Sequence, residues 1–370
     1  MIYLDHAATS CPKPPEVAAA MMDAMNTYGN PSRGAHEAAL NALRGLMEAR
    51  REIADFFGAQ SPMQVAFACN ATTALNTAIG GIKGRIVTTA ADHNSVLRPV
   101  YRRGNYHIVS VDEKGRLDLN QLEEAITTDV GAVVMTHASN VTGNVFDIAA
   151  VGDICRRKRV RLIVDAAQSA GLLPFRQGEW GVSAVCFSGH KSLCGPQGTG
   201  GICLGDGFQP EPLAVGGSGS DSFSMTQPAS LPDALEAGTQ NAHGIAGLLA
   251  GLRHVKVREG ACFDEADALA RYFVDEVRKI KGMELYGDLD APIRTPVVSL
   301  NWAGMDSAAL AFMLGEQYDI AVRAGAHCAP LMHEALGTRQ RGAVRFSFSH
   351  MNSRGEVDAA LDALRKIGRD

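Results

Sequence analysis

Between residues 65 and 204 the chain alternates seven short apolar runs with segments of helical pattern, the runs falling at 65–68, 85–89, 107–111, 132–136, 162–164, 184–187 and 201–204. Continuous apolar runs are strands covered on both faces, and their alternation with helices restricts the chain to an α/β fold around a mainly parallel sheet. Helical patterns at 16–28 and from 32 to 57 precede the sheet, and a long one from 242 to 280 follows a Gly/Ser-rich loop at 216–221. Strand patterns at 296–301, 320–323 and 344–348, with helices at 307–317 and 355–367, complete the chain as a small α/β domain would. The 370 residues suffice for two domains. The expected division is a large one over 15–256 and a smaller one formed by 1–14 and 257–370.

In such sheets ligands collect beyond the carboxyl ends of the strands, so the residues that follow each run carry the chemistry. The run at 184–187 drops into Ser188-Gly189-His190-Lys191. A lysine between glycines, beside a histidine and at the end of a buried strand, is poorly explained as a solvated surface charge. It reads better as an amine in a crevice, where desolvation and neighbouring cations lower its pKa until it can condense with an aldehyde. The obvious aldehyde is pyridoxal 5′-phosphate (PLP); an ordinary loop lysine is the competing reading.

Asp165 closes the run at 162–164. A carboxylate at the mouth of a buried strand needs a cation, which a protonated pyridine nitrogen would supply; otherwise it caps a helix. The spacing from Asp165 to Lys191 leaves room for one helix and one strand, which places both residues at the same sheet edge. After the first run, Cys69-Asn70-Ala71-Thr72-Thr73 opens a helix whose N–H groups form either a phosphate cup or a ligand-free cap. His93, after the second run, caps a helix, faces solvent or lies flat on an aromatic cofactor ring. Asn140, in the loop after the fourth, is either a turn residue or an amide reaching a ring oxygen or a substrate carboxylate. Much later, Gly325-Ala326-His327-Cys328-Ala329-Pro330 sets a cysteine in a small-residue loop between a strand and a helix. There the thiol is accessible, and a nearby imidazolium or arginine favours its thiolate.

The formal charge of −5 is spread along the sequence, with no basic run to mark a nucleic-acid partner and no acidic tail. No apolar stretch reaches the roughly 18 residues that a membrane span needs, and the start is not a signal peptide. A cytoplasmic enzyme is the expectation. The eight cysteines show no C-x-x-C pair, so neither a disulfide frame nor a zinc site is indicated by spacing. Cys186 and Cys203, inside apolar runs, are expected to be buried.

With these pieces in order, the chain resembles the class V family of PLP enzymes, and within it the cysteine desulfurase/selenocysteine lyase branch. The resemblance runs from Tyr3-Leu4-Asp5-His6-Ala7-Ala8-Thr9 to Arg345, and its most specific pieces are Ser188-Gly189-His190-Lys191, Asp165-Ala166-Ala167-Gln168 and Arg323-Ala324-Gly325-Ala326-His327-Cys328-Ala329. It implies a type I PLP-transferase fold, a large domain with a seven-stranded mainly parallel sheet plus a smaller α/β C-terminal domain. It also implies that Lys191 holds the cofactor and moves the substrate α-proton. Asp165 would pair with the pyridine nitrogen, Gln168 touch the ring oxygen and His93 stack on the ring. Asn140 would sit by the ring and the substrate carboxylate. Ala71, Thr72, Ser188 and His190 would cup the phosphate, with Thr239 arriving from the second subunit of a homodimer. Arg345 would clamp the substrate carboxylate, its fork suiting that task; a surface charge at a strand end is the plain alternative.

The implied reaction cleaves the C–S bond of L-cysteine to L-alanine and passes the sulfur to Cys328 as a persulfide. The short Cys328 loop looks like the family group that works with a separate sulfur-acceptor protein. A selenocysteine lyase, for which Cys328 is less necessary, and a class V aminotransferase or lyase acting on another amino acid are the alternatives. The phosphate loop departs from the family pattern in lacking its usual Gly and Glu, which leaves the backbone cup intact.

Overall fold

The computed structural model describes residues 1–31, 34–220 and 222–368. The chain opens with β1 (Ile2–Tyr3), followed by α1 (Pro15–Thr27) and α2 (Glu37–Phe57). The helix expected from 32 begins at Glu37, where the His36 ring accepts the Ala39 N–H as its cap. Ser32 and Arg33 lie outside the described residues. The strands that follow are β2 (Val65–Ala68), β3 (Arg85–Thr89), β4 (Tyr106–Val109), β5 (Val130–Thr136), β6 (Arg161–Asp165), β7 (Ala184–Ser188) and β8 (Gly200–Leu204). Between them lie α3 (Ala71–Gly80), α4 (Asn94–Arg103), α5 (Leu119–Ala125) and α6 (Ile148–Lys158). The run expected at 107–111 is shifted by the pairing of β4 with β3, whose register ends at Thr89 and Val109.

These strands form one seven-stranded sheet in the order β2-β8-β7-β6-β5-β3-β4. Only β8 runs against its neighbours; the other pairings are parallel. The inner strands are apolar through their middles because both faces are covered, with polar residues such as Asp165 and Ser188 at their ends and the edge strand β4 partly exposed. Val133 and Met135 of β5 enter the core shared with α2 and α6, while Ala132 and Val134 enter the one shared with α3 and α4. Cys186 and Cys203 are fully buried among these side chains. Residues 166–183, where room for a helix was expected, are turns.

The pattern read as one helix over 242–280 is two, α7 (Ala242–Val257) and α8 (Ala261–Val277). Glu259 and Gly260 adopt φ of 45° and 92°, a left-handed bend that ends one helix and starts the next. A second, four-stranded antiparallel sheet follows. It contains β9 (Met283–Tyr286) and β10 (Val297–Trp302). After α9 (Ser307–Tyr318), the expected strand at 320–323 divides into β11 (Ile320–Ala321), which pairs with β1, and β12 (Arg323–Gly325), which pairs with β13 (Ala343–Ser347). The short α10 (Pro330–Ala335) and α11 (Arg354–Ile367) complete the order. Leu4 packs into this sheet's core with α8, α9 and α11. Ala329 and Met332, by contrast, enter the core of the large sheet, so the segment after Cys328 is fastened there.

Candidate active site

Because β2, β3, β5, β6 and β7 all run the same way, their carboxyl ends emerge at one edge of the sheet. A cleft of about 240 Å³ lies at that edge, and Ala71, Thr72, His93, Asn140, Asp165, Gln168, Ser188, His190 and Lys191 all line it. Three of the expected residues stand apart from its wall. Thr239 lines a different depression with Arg50, Ser220 and Glu236, Arg345 is buried behind other contacts, and Cys328 is exposed on its loop.

One end of the cleft is built for an anion. The Asn70 side chain caps α3 by accepting the Thr73 N–H at 2.9 Å, and Ser188 Oγ accepts the Ala71 N–H at 3.0 Å. The Thr72 hydroxyl shares a hydrogen bond with Ser95 Oγ at 2.7 Å. His190 Nδ1 is buried with no hydrogen-bond partner among the described residues, and burial with Lys191 and Lys13 nearby pushes its pKa down to about 4. Gly189 before it cannot carry a side chain cheaply: a Cβ would stand 2.3 Å from Thr199 Oγ1. The His190 carbonyl also receives the Ser10 N–H at 3.0 Å, the Thr9 hydroxyl at 2.9 Å and Lys13 Nζ at 2.7 Å. The N-terminal segment therefore fixes the loop that presents Lys191, a role that reading the sequence alone did not find.

At the other end, Asp165 and Lys191 face the cleft from neighbouring strand ends. Asp165 Oδ1 accepts the Ala167 N–H at 2.9 Å, so it closes a tight turn and caps no helix. Burial raises its pKa, the Ala167 N–H and the charge of Lys191 offset part of the rise, and among the described residues no salt bridge holds it. Burial lowers Lys191 to about 8, with Arg345 and Arg323 adding to the effect and Asp165 and Cys328 opposing it. Gln168 Nε2 donates to the Ala7 carbonyl at 3.0 Å. His93 does cap α4: its Nδ1 accepts the Ser95 N–H at 3.0 Å, which puts the proton of the neutral ring on Nε2. Its pKa falls to about 4 through burial, with Lys191 the largest of the cationic causes. Asp92, also missed, ties the floor together, accepting Thr89 N–H at 2.8 Å and Thr136 N–H at 2.6 Å across β3 and β5.

The Cys328 loop is held against this wall by two hydrogen bonds. Asn140 Nδ2 donates to the His327 carbonyl at 2.7 Å, and the N–H of Asn94, next to His93, donates to the Cys328 carbonyl at 2.7 Å. His327 and Cys328 both have positive φ, 48° and 56°, a strained bend that leaves the thiol exposed. The neighbouring imidazole does not supply the positive charge expected beside the thiol: burial lowers His327 to about 3, and its ring contacts the Arg323 carbonyl and His333. Arg345, 2% exposed, donates from Nη2 to Asp5 Oδ1 at 2.8 Å and from Nη1 to the Asn140 carbonyl at 3.1 Å. Its Nε has no partner among the described residues.

Residues 2–360 match the sequence profile of aminotransferase class-V. The chain belongs to the class-V aminotransferase family. This class-V chain is 32% identical, over 99% of its length and 94% of the relative's, to a Methanothermobacter thermautotrophicus protein named "Probable cysteine desulfurase". It is 31% identical to the Vibrio campbellii cysteine desulfurase IscS, over 98% of the class-V chain and 92% of IscS. Among solved structures, the apo cysteine desulfurase of Thermococcus onnurineus superposes with a TM-score of 0.93 at 30% identity, covering all of this chain and 94% of the other. The fold of this class-V aminotransferase is the type I PLP fold. The family is generally PLP-dependent. No helix among the described residues is long and apolar enough to cross a membrane.

Proposed function

We propose that this chain is a PLP-dependent cysteine desulfurase, which converts L-cysteine to L-alanine and retains the sulfur as a persulfide on Cys328. The observation that carries the reading is the anchoring of an exposed cysteine loop, through Asn140 and Asn94, on the wall of the cleft that holds Lys191 and Asp165. The relatives named cysteine desulfurase support it.

The cleft fits the cofactor. His190 Nδ1 is a buried donor or acceptor without a partner among the described residues, beside the N–H groups at the start of α3 and the hydroxyls of Thr72 and Ser188, a donor set suited to a phosphate. Asp165 is a buried carboxylate on the cleft wall that feels the charge of Lys191 but makes no salt bridge among the described residues, a position suited to a pyridinium nitrogen. In this reading Ala71, Thr72, Ser188 and His190 hold the phosphate, and Thr239 completes that cup from the second copy of a homodimer. Gln168 and the neutral His93 ring contact the cofactor ring. When bound, PLP supplies an electron sink for the pair left at the substrate Cα.

Lys191 anchors the cofactor and, with its pKa near 8, takes the Cα proton close to neutral pH. Arg345 and Asn140 receive the substrate carboxylate, which competes with Asp5 for Arg345 Nη2. The Cys328 thiolate attacks the substrate Sγ. As the S–S bond forms, the Cβ–Sγ bond breaks and leaves its pair on Cβ, which takes a proton, and Lys191 returns a proton to Cα before alanine departs. All eight cysteines are unpaired, as suits the reducing cytoplasm where we place the reaction. A division into residues 15–256 and 1–14 with 257–370 lets the smaller unit carry the Cys328 loop. The exposed loop then hands sulfur to an acceptor protein.

The test is turnover of L-cysteine and L-selenocysteine by the native and Cys328→Ala proteins, with alanine quantified and persulfide mapped by peptide mass. Alanine from cysteine and a persulfide on Cys328, both lost in the variant, are expected. Undiminished alanine release from cysteine by the variant would refute the role given to Cys328.

A further inference from the structure

A second cluster of reactive side chains lies apart from the cleft. His254 near the end of α7, Cys262 in the first turn of α8 and His350 just after β13 bring their ligand atoms within 4.8 Å of one another. In an unbroken helix residues 254 and 262 would stand about 12 Å apart along the axis. The left-handed bend at Glu259 and Gly260 is what folds Cys262 back toward His254.

The two imidazoles face each other with Nε2 to Nε2 at 3.1 Å. Two nitrogens on a tetrahedral ion with metal–nitrogen bonds of about 2.05 Å are separated by about 3.3 Å. The outer nitrogens are held as a ligand pair requires. Glu16 Oε1, an acceptor, stands 2.6 Å from His254 Nδ1 and so fixes the proton there, leaving Nε2 a bare lone pair. His350 Nδ1 lies 3.4 Å from Ser349 Oγ. Cys262 is 2% exposed. Arg258 also contacts its thiol, but both oxygens of Glu265 already bind that guanidinium, at 2.7 and 2.6 Å. An independent sign comes from His6. Only 5% exposed, it lines the same small cavity as Cys262 and His350, and neither of its ring nitrogens makes a well-formed hydrogen bond among the described residues, the Tyr3 backbone giving only a loose contact.

We propose that His254, Cys262 and His350 form a binding site for a divalent metal ion of zinc type, with two nitrogen ligands and one sulfur ligand, its fourth position on the side of the cavity that His6 lines. Nitrogen and thiolate donors in this number suit zinc and exclude the oxygen-seeking magnesium and calcium ions. In the metal-free protein His350 Nε2–H donates to the bare Nε2 of His254. On binding, His350 carries its proton on Nδ1 toward Ser349, the Cys262 thiol releases one proton to solvent, and no electrons move. The ligands come from α7, from α8 and from the loop after β13. The ion therefore fastens the four-stranded sheet to a helix of the large core, which makes the site structural and independent of the reaction at Lys191.

The experiment uses the untagged holoenzyme, stripped with a chelator and titrated with Co²⁺ as the spectroscopic probe, then with Zn²⁺. One Co²⁺ per chain is expected, with a thiolate-to-cobalt band in the difference spectrum that zinc displaces, and Tm rises on saturation. The band persists in Cys328→Ser and vanishes in Cys262→Ser. Glu16→Gln, which leaves all three ligands in place, weakens binding by about ten- to a hundredfold. Native protein that binds no stoichiometric metal overturns the proposal. So does a band that follows Cys328 rather than Cys262, or affinity unmoved by both Cys262→Ser and His350→Gln in folded protein.

Discussion

In the cofactor-free protein Lys191 carries a charge that the fold disfavours. Burial draws its pKa from the ordinary 10.5 down to about 8, and a shift of that size corresponds to about 3 kcal/mol against the ammonium form. The folded pKa lies below the unfolded one, so between pH 8 and 10.5 the unfolded chain binds more protons. This contribution therefore makes stability rise with pH across that window, and the full cost is present below it. Lys191→Met removes the charge while keeping an unbranched stem. The variant should exceed the cofactor-free native protein by about 3 kcal/mol at pH 7 and by about 1.5 kcal/mol at pH 9.5. Packing of the methionine adds the same amount at both pH values, so the change between them isolates the charge. Urea unfolding followed by circular dichroism at each pH measures it. A gap that stays constant from pH 7 to 9.5 would refute the account of Lys191 as a desolvated amine, whatever its absolute size.

Two further outcomes follow from buried contacts, one away from the cleft and one beside it. Glu236→Gln leaves Arg50 as an uncompensated buried charge, since the pair meets at 2.6 Å with side chains only 5% and 6% exposed; a loss of about 3–5 kcal/mol in chemical denaturation is expected, and a loss under 1 kcal/mol would contradict it. Gly189→Ala drives a Cβ to 2.3 Å from Thr199 Oγ1 and 2.8 Å from Leu248 Cδ1. It should cost about 1–3 kcal/mol and weaken retention of PLP through gel filtration; unchanged melting and retention would show that the loop before Lys191 gives way freely.

The large sheet was legible because its inner strands are buried on both faces, so a continuous apolar run marks them whatever the register. Val133 and Ala132 point to opposite cores, yet both read as strand. The cleft was legible for a related reason: strands that run alike deliver the residues after them, Thr72, His93, Asn140 and Lys191, to one edge. What could not be read were contacts between remote segments. Nothing near Asp5 in sequence announces Arg345, and nothing near Ser10 announces the His190 carbonyl. The strand β9 escaped notice because Met283, Glu284, Leu285 and Tyr286 are all only half-buried, which blurs the alternation. The break between α7 and α8 was hidden because helix-forming residues flank Gly260 on both sides. Cys262 and the two histidines share no sequence spacing, so only the folded chain brings them together.

The pairing of β1 with β11 and of Asp5 with Arg345 sets an order on biosynthesis. Asp5 leaves the ribosome 340 residues before the arginine it pairs with. At ordinary elongation rates that interval is roughly 17–70 s. Throughout it, residues 2–7 are without the strand and arginine partners they will eventually have. The large sheet, complete by Leu204, can assemble meanwhile. The buried Arg345, held between Asp5 and the Asn140 carbonyl, is thus among the last parts to take its final form, settling only when both ends of the chain have met.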